Sequence, residues 1–333
     1  MAGQVAVRQR NLGQGLGMAA FVLLGGLLVG AVLQLILGVA LGATGAALAQ
    51  GNVIVGLVWP LWAIVAVEAV YAKIPPYQRL IPLSTARALV GFLALVFVWE
   101  LVARYLFTNA LVIVPLSKIW DAFLKLARSG ELWKHTSVSL QEFALGYAAA
   151  AIVGILLGLL LATNQRMRDY VEPWVSFLYA VPLVAVAPLF IVAFGIGIMS
   201  KVIVIFLVAV FIILVNTEVG VLSTDPHLIE AARSFGATRT QIFRKVLLPA
   251  ALPFIIAGLR LGMARGLVGV VVAELFGAKA GLGFLILASS QVFDTASLFV
   301  GVLVLAIGGY LGVELLKWIE TRLAPWRHFE FKD

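Results

Sequence analysis

DPHLIEAARSFGATRTQIFRKVLLP, residues 225–249, is a polar, charge-bearing stretch between two long apolar runs. Asp225-Pro226 reads as a helix start, with Asp as the N-cap and Pro at the first helical position, where a missing N–H costs nothing. That helix is expected to run to Phe235 and stop at Gly236, the C′ residue. Leu228, Ala231, Ala232 and Phe235 share one side of it, away from Glu230 and Arg233. Thr238 followed by Gln241 forms a capping box for a second helix. The second helix is expected to end near Leu248, because Pro249 disfavours a helical residue before it. Two short, capped helices unable to span a bilayer therefore interrupt an apolar chain.

Working outward, the rest of the chain is membrane-like. It is 62% hydrophobic and 12% charged, with a mean hydropathy of +1.08. Soluble domains carry about 25% charged residues. The composition excludes a soluble enzyme with a single core and indicates an all-α polytopic membrane protein. There is no cysteine, so disulfide and thiol chemistry are excluded. The net charge of +8 fits basic cytoplasmic loops against membrane lipid better than nucleic acid.

About eight transmembrane helices are expected, at residues 16–41, 53–71, 88–107, 138–162, 174–194, 202–222, 250–276 and 297–319. The first run is longer than the apolar core of a signal peptide, so it is read as a span despite a cleavage-like Ala47-Leu48-Ala49. Residues 73–87 form a Pro-rich basic linker and the best domain boundary. Residues 1–85 are thus an extension with two extra spans. Ile119, Phe123 and Leu126 mark an interfacial amphipathic helix within 108–136. Pro182 and Pro188 imply a kinked or broken span at 174–194. Residues 284–288 are apolar but too short to cross.

An even number of spans puts both termini on one side. Arg8, Arg10, Lys73, Arg79, Arg87, Arg166, Arg168, Arg233, Arg239, Arg244, Lys245, Arg322, Arg327 and Lys332 lie on that side. Lys118, Lys125, Arg128, Lys134, Lys201 and Lys279 lie opposite. The excess places both termini and residues 225–249 in the cytoplasm.

Glu230-Ala231-Ala232, three residues, Gly236, nine residues and then Val246-Leu247-Leu248-Pro249 resemble the EAA loop of prokaryotic ABC-importer permeases. Only Val246, in place of Ile, departs from the motif. Residues 88–327 as a whole resemble permeases of the nitrate, taurine and aliphatic-sulfonate importer family. The likeness is carried by RSGELWKHTSVSL (128–140), VPLVAVAPL (181–189), NTEVGVLSTDP (216–226), VVAELFGAKAGLGFLI (271–286) and FDT (293–295). The resemblance implies a six-helix type I permease core at 86–333, with a cytoplasmic coupling loop at 223–249. It further implies a second copy around a central path, two ABC ATPase subunits and an extracytoplasmic solute-binding protein in a bacterial inner membrane. Glu230, Ala231, Ala232, Arg233, Gly236, Leu248 and Pro249 would couple to the ATPase. The carried solute would be a small anion such as a sulfonate, taurine, nitrate or bicarbonate.

The chain has no phosphate-binding G-x-x-x-x-G-K-[ST] loop, so ATP and Mg are expected on a partner chain and no cofactor on this one. His135, His227 and His328 make no metal spacing, and no catalytic set is apparent. Ionisable or polar residues inside spans mark candidate paths or gates. These are Asn216 and Glu218 in the sixth span, and Arg260, Arg265 and Glu274 in the seventh. Glu218 and Arg260 fall at similar depth if their spans are antiparallel and, unless they snorkel or Arg260 or Arg265 faces an anion path, are expected to pair. So are Glu100 and Arg104, one helical turn apart. An ATP-independent channel or secondary transporter is the alternative, but the chain shows no clear internal repeat.

Overall fold

The computed structural model describes residues 83–103 and 113–324. The two N-terminal runs, the Pro-rich linker up to residue 82, Arg104 and the tail beyond 324 lie outside the described residues, and residues 83–87, expected as linker, already belong to the first described helix. The chain divides into two compact units, Met1–Asp121 and Ala122–Asp333. In the first, helix α1 (Leu83–Leu101) ends beside the start of α2 (Leu116–Ser129). Trp99 Nε1 donates to the Val114 carbonyl at 3.0 Å, and Ser117 donates from Oγ to Glu100 at 2.9 Å. Glu100 is therefore held by Ser117. Helix α2 is the expected amphipathic helix, with Ile119 and Leu126 buried and Trp120 exposed.

The second unit is built from α3 (Glu131–Thr163), α4 (Gln165–Ala180), α5 (Ala187–Phe194) and α6 (Ile198–Leu222). After these come α7 (Pro226–Ser234), α8 (Arg239–Ile242), α9 (Leu248–Gly277), α10 (Leu282–Gln291) and α11 (Thr295–Leu323). Among the described residues, four helical stretches are long and apolar enough to cross a membrane: Glu131–Thr163, Ile198–Leu222, Arg239–Gly277 and Thr295–Leu323. The expected span at 174–194 is broken, because residues 181–186 leave the helix and Pro188 restarts it in the first turn of α5. This is the local cost of two prolines six residues apart.

Helix α6 is the centre of this unit, with α3 packed on one side and α9 on another. The approach is close because the facing residues are small. On α3, Gly146, Ala150, Gly154 and Gly158 recur every fourth residue and are buried. A Cβ at Gly158 would stand 2.7 Å from the Leu214 carbonyl oxygen, and one at Gly146 would stand 2.7 Å from Ile205 Cβ. On α9, Gly258 and Gly262 seat Asn216 and Ile213 in the same way. Within a membrane, where apolar burial gives little drive between helices, such backbone proximity and dispersion supply the packing energy. Ile213, Ala209 and Ala150 are fully buried at the middle of this stack.

Candidate functional site: a capped exposed helix and the charges in the spans

The opening stretch folds largely as its caps dictate. The Asp225 carboxylate accepts from the His227 N–H at 2.9 Å, and Pro226 occupies the first helical position. At the other end the Gly236 N–H donates to the Arg233 carbonyl at 2.8 Å, and the Ala237 N–H donates to that of Ala232 at 3.0 Å. This pair of bonds is the Schellman termination, and it needs a left-handed residue at C′. Gly236 supplies it with φ +75°. Thr238 and Gln241 then close the capping box at 2.8 and 3.3 Å.

The second helix does not stop before Pro249. It continues through a π turn, Phe243–Leu247, into α9, giving one 39-residue helical stretch, Arg239–Gly277. In a regular α-helix the Pro249 ring would strike the Lys245 carbonyl four residues back. The π turn moves the hydrogen-bond register by one, so that the Leu248 N–H donates to the Phe243 carbonyl. Leu248 and Pro249 thus lie inside a continuous helical stretch instead of at the end of a helix.

No residue of α7 is buried. Leu228, Glu230, Ala231 and Arg233 are exposed, Ala232 is half-buried, and Phe235 is 91% exposed. His227 Nδ1 lies 3.8 Å from Glu230, both well in solvent, which adds little stability. This half-apolar helix is held in shape by its own caps with little packing beneath it.

The ionisable residues in the spans are arranged differently from the sequence expectation. Glu218 does not pair with Arg260. Arg168, in the first turn of α4, lies 3.2 Å from Glu218 and also donates to the Leu161 and Ala162 carbonyls at the end of α3. Arg260 pairs with Glu320 of α11 at 3.4 Å. The azimuth of each side chain, which chooses the partner, was not legible. Asn216 donates to the Ile212 carbonyl at 2.7 Å, one turn back on α6, and lies against Gly258.

Glu274 belongs to a buried polar knot at the opposite end of the bundle. Ser139 donates to one of its oxygens at 2.6 Å, and the Gly283 N–H to the other at 2.5 Å. Ser139 in turn accepts from the Leu282 N–H at 2.7 Å, and His135 Nδ1 accepts from the Gly281 N–H at 3.1 Å. The carboxyl of Glu142 faces Glu274 and pairs with Lys201 at 2.6 Å. Lys201, expected as an outer-loop cation, is 6% exposed. His135, Ser139, Glu142 and Lys201 were missed as a set. The available signal was Glu142 inside one apolar run and Lys201 near the start of another. The knot fixes the turn between α9 and α10, where Gly281 has φ +128° and no room for a side chain beside Glu274.

Comparison with known proteins adds identity to this geometry. Residues 154–326 match the family described as the binding-protein-dependent transport system inner membrane component. The chain belongs to that family. It is 35% identical over 231 residues to the aliphatic sulfonates transport permease protein SsuC of Bacillus subtilis (strain 168), covering 69% of this chain and 84% of that one. It is 34% identical over 236 residues to the formylaminopyrimidine transport permease protein ThiX of Halalkalibacterium halodurans, covering 71% and 94%. It is 33% identical over 257 residues to the taurine transport system permease protein TauC of Escherichia coli (strain K12), covering 75% and 92%. The chain is thus an ABC-importer permease subunit, a multi-pass membrane protein and not itself an enzyme.

Proposed function

We propose that residues 86–333 form the solute path of an ATP-driven importer and that the coupling loop at 223–249 receives the force of ATP hydrolysis on a separate ATPase chain. Helix α7 carries this reading. It is capped at both ends, has no buried residue, and is joined through α8 to a helical stretch long and apolar enough to cross the membrane. A helix that packs so little on its own chain and keeps Leu228 and Phe235 in water has apolar area to bury in a partner. Burial of each such side chain is worth about 1.5–3 kcal/mol. Glu230, Ala231, Ala232, Arg233 and Gly236 form the seat, and Leu248 and Pro249 the joint to α9. Two ATPase subunits, a second permease copy, an extracytoplasmic solute-binding protein and cytoplasmic termini complete the assembly. Residues 1–85 form an extension preceding the core.

The solute in this reading is a small anion of the sulfonate, taurine, nitrate or bicarbonate class. The names of SsuC and TauC support it. The test is co-purification of the full chain with its ATPase after co-expression. Wild type is expected to retain the ATPase, and Leu228→Asp and Phe235→Asp to lose it while still inserting in the membrane. Undiminished co-purification of both variants, or solute flux by the purified chain without ATP, would refute the proposal.

A further inference from the structure

Arg265 stands apart from every other charge in the described spans. Its depth follows from the packing of α9 on α6: a Cβ at Gly262 would meet Ile213, and one at Gly269 would meet Ile205. Arg265 therefore lies level with Ala209 and Val210, at the middle of the helix Ile198–Leu222. Below it are the pairs Arg168–Glu218 and Arg260–Glu320; above it is Lys201–Glu142 with Glu274. Arg265 is exposed, and among the described residues it has no hydrogen-bond or ion-pair partner.

An unpaired guanidinium at that depth cannot rest in lipid. The interfaces of a roughly 30 Å hydrocarbon core are about 15 Å away, farther than an arginine side chain reaches. Nor is it turned toward the protein interior. Gly262 and Gly269 of α9 face α6, and Met263, Leu267 and Val270 line a cleft shared with α11. Arg265 shares the remaining strip with Leu261, Ala264 and Val268, all exposed. That strip needs water, an anion or a polar face of the second permease copy in front of it.

We propose that Arg265 is the anion contact of the transport path, facing an aqueous passage at mid-membrane and pairing with an oxyanion as it crosses. A guanidinium offers two parallel N–H donors to a sulfonate, carboxylate or nitrate group. The inference rests on the small-anion reading above and deepens it: the charge class of the solute is set in part by this one residue.

The chain has no native cysteine, so single cysteines can be read without background. Leu261→Cys and Val268→Cys flank Arg265 by about one helical turn on either side. The full chain, reconstituted alone in lipid nanodiscs, is treated with an anionic and a cationic methanethiosulfonate, and the ratio of the two rates is measured. Both cysteines are expected to react. Adding Arg265→Gln is expected to lower the anion-to-cation ratio by about tenfold or more, as for one charge in a low-dielectric cleft. Arg265→Lys is expected to keep most of the ratio, which separates lost charge from a damaged fold. No reaction at either cysteine would overturn the proposal, because the strip would then be covered by lipid or protein. A ratio unchanged by Arg265→Gln would overturn it equally. Neither readout depends on ATPase retention, so failure of the coupling proposal remains distinguishable.

Discussion

Substitutions at Gly236 separate a conformational role from a contact role for α7 in the proposed coupling. Gly236 adopts φ +75°, and a Cβ built there meets nothing within 4 Å. The cost of a side chain is thus backbone strain without a clash. For an ordinary L-residue the left-handed conformation costs about 1–2 kcal/mol, more for a β-branched one and less for Asn. Because α7 packs little on its own chain, its end can relax when free and must recover the turn when seated. The strain should then appear in ATPase affinity instead of membrane stability. At about 1.4 kcal/mol per tenfold change, Gly236→Ala weakens binding about 5- to 30-fold. Gly236→Asn is expected to weaken it only a few-fold, and Gly236→Val most. The assay is titration of purified ATPase onto the permease in lipid nanodiscs, with uptake measured in the reconstituted importer. A ranking that follows side-chain bulk, with Asn as harmful as Val, would mean that Gly236 is needed for close contact with the partner. Unaltered affinity and uptake across the series would remove Gly236 from the coupling machinery.

Removing Lys201 leaves Glu142 buried without its counter-charge. Lys201→Met should cost about 3–5 kcal/mol in thermal unfolding of the purified protein, and Lys201→Met with Glu142→Gln should recover much of it. A double-mutant cycle on Arg168 and Glu218, which are 17% and 10% exposed, should give a coupling of about 0.5–3 kcal/mol. The same cycle on Lys317 and Glu314, at 49% and 41%, should fall below about 0.5 kcal/mol, and equal values would contradict the importance given to burial. Gly281→Ala forces φ +128° on a residue with a Cβ and drives it into the Glu274 carboxyl. Its unfolding should move by at least about 1–3 kcal/mol from backbone strain alone, whereas a neutral result would mean that the turn rearranges freely.

What the sequence made legible were the local signals. Asp225, Gly236 and Thr238 act within a few residues of themselves, so their types alone predicted the ends of α7 and the start of α8. The apolar runs likewise fixed α3, α6 and α11 to within a few residues, apart from the early start of α3. Pro249 misled because a proline has two outcomes, and a π turn is chosen by the continuation into α9, not by the residues beside it. The charge partners were not legible for a related reason. Arg168 and Arg260 lie on different helices around α6, and the sequence does not show which of them meets Glu218.

That continuity has a mechanical consequence. From Leu248 to Glu274 the helix rises about 39 Å at ~1.5 Å per residue, so a single element runs from the proposed coupling loop to the polar knot at the far end. Arg260 and Arg265 ride on it between those ends. Its contact with α6 is made through glycines, which let the backbones approach without long side chains interleaving. The Pro249 joint is where the hydrogen-bond ladder changes register, and the freed carbonyls near Pro253 add a second soft point one turn later. A displacement of α7 therefore has two routes: bending at these prolines, or moving α9 as a unit against α6. The second route would carry Arg265 and strain the Glu274 knot together. In this geometry, loosening the knot by Gly281→Ala and stiffening the joint by Pro249→Ala should change uptake in opposite directions, and matching effects would argue that the two ends of α9 work independently.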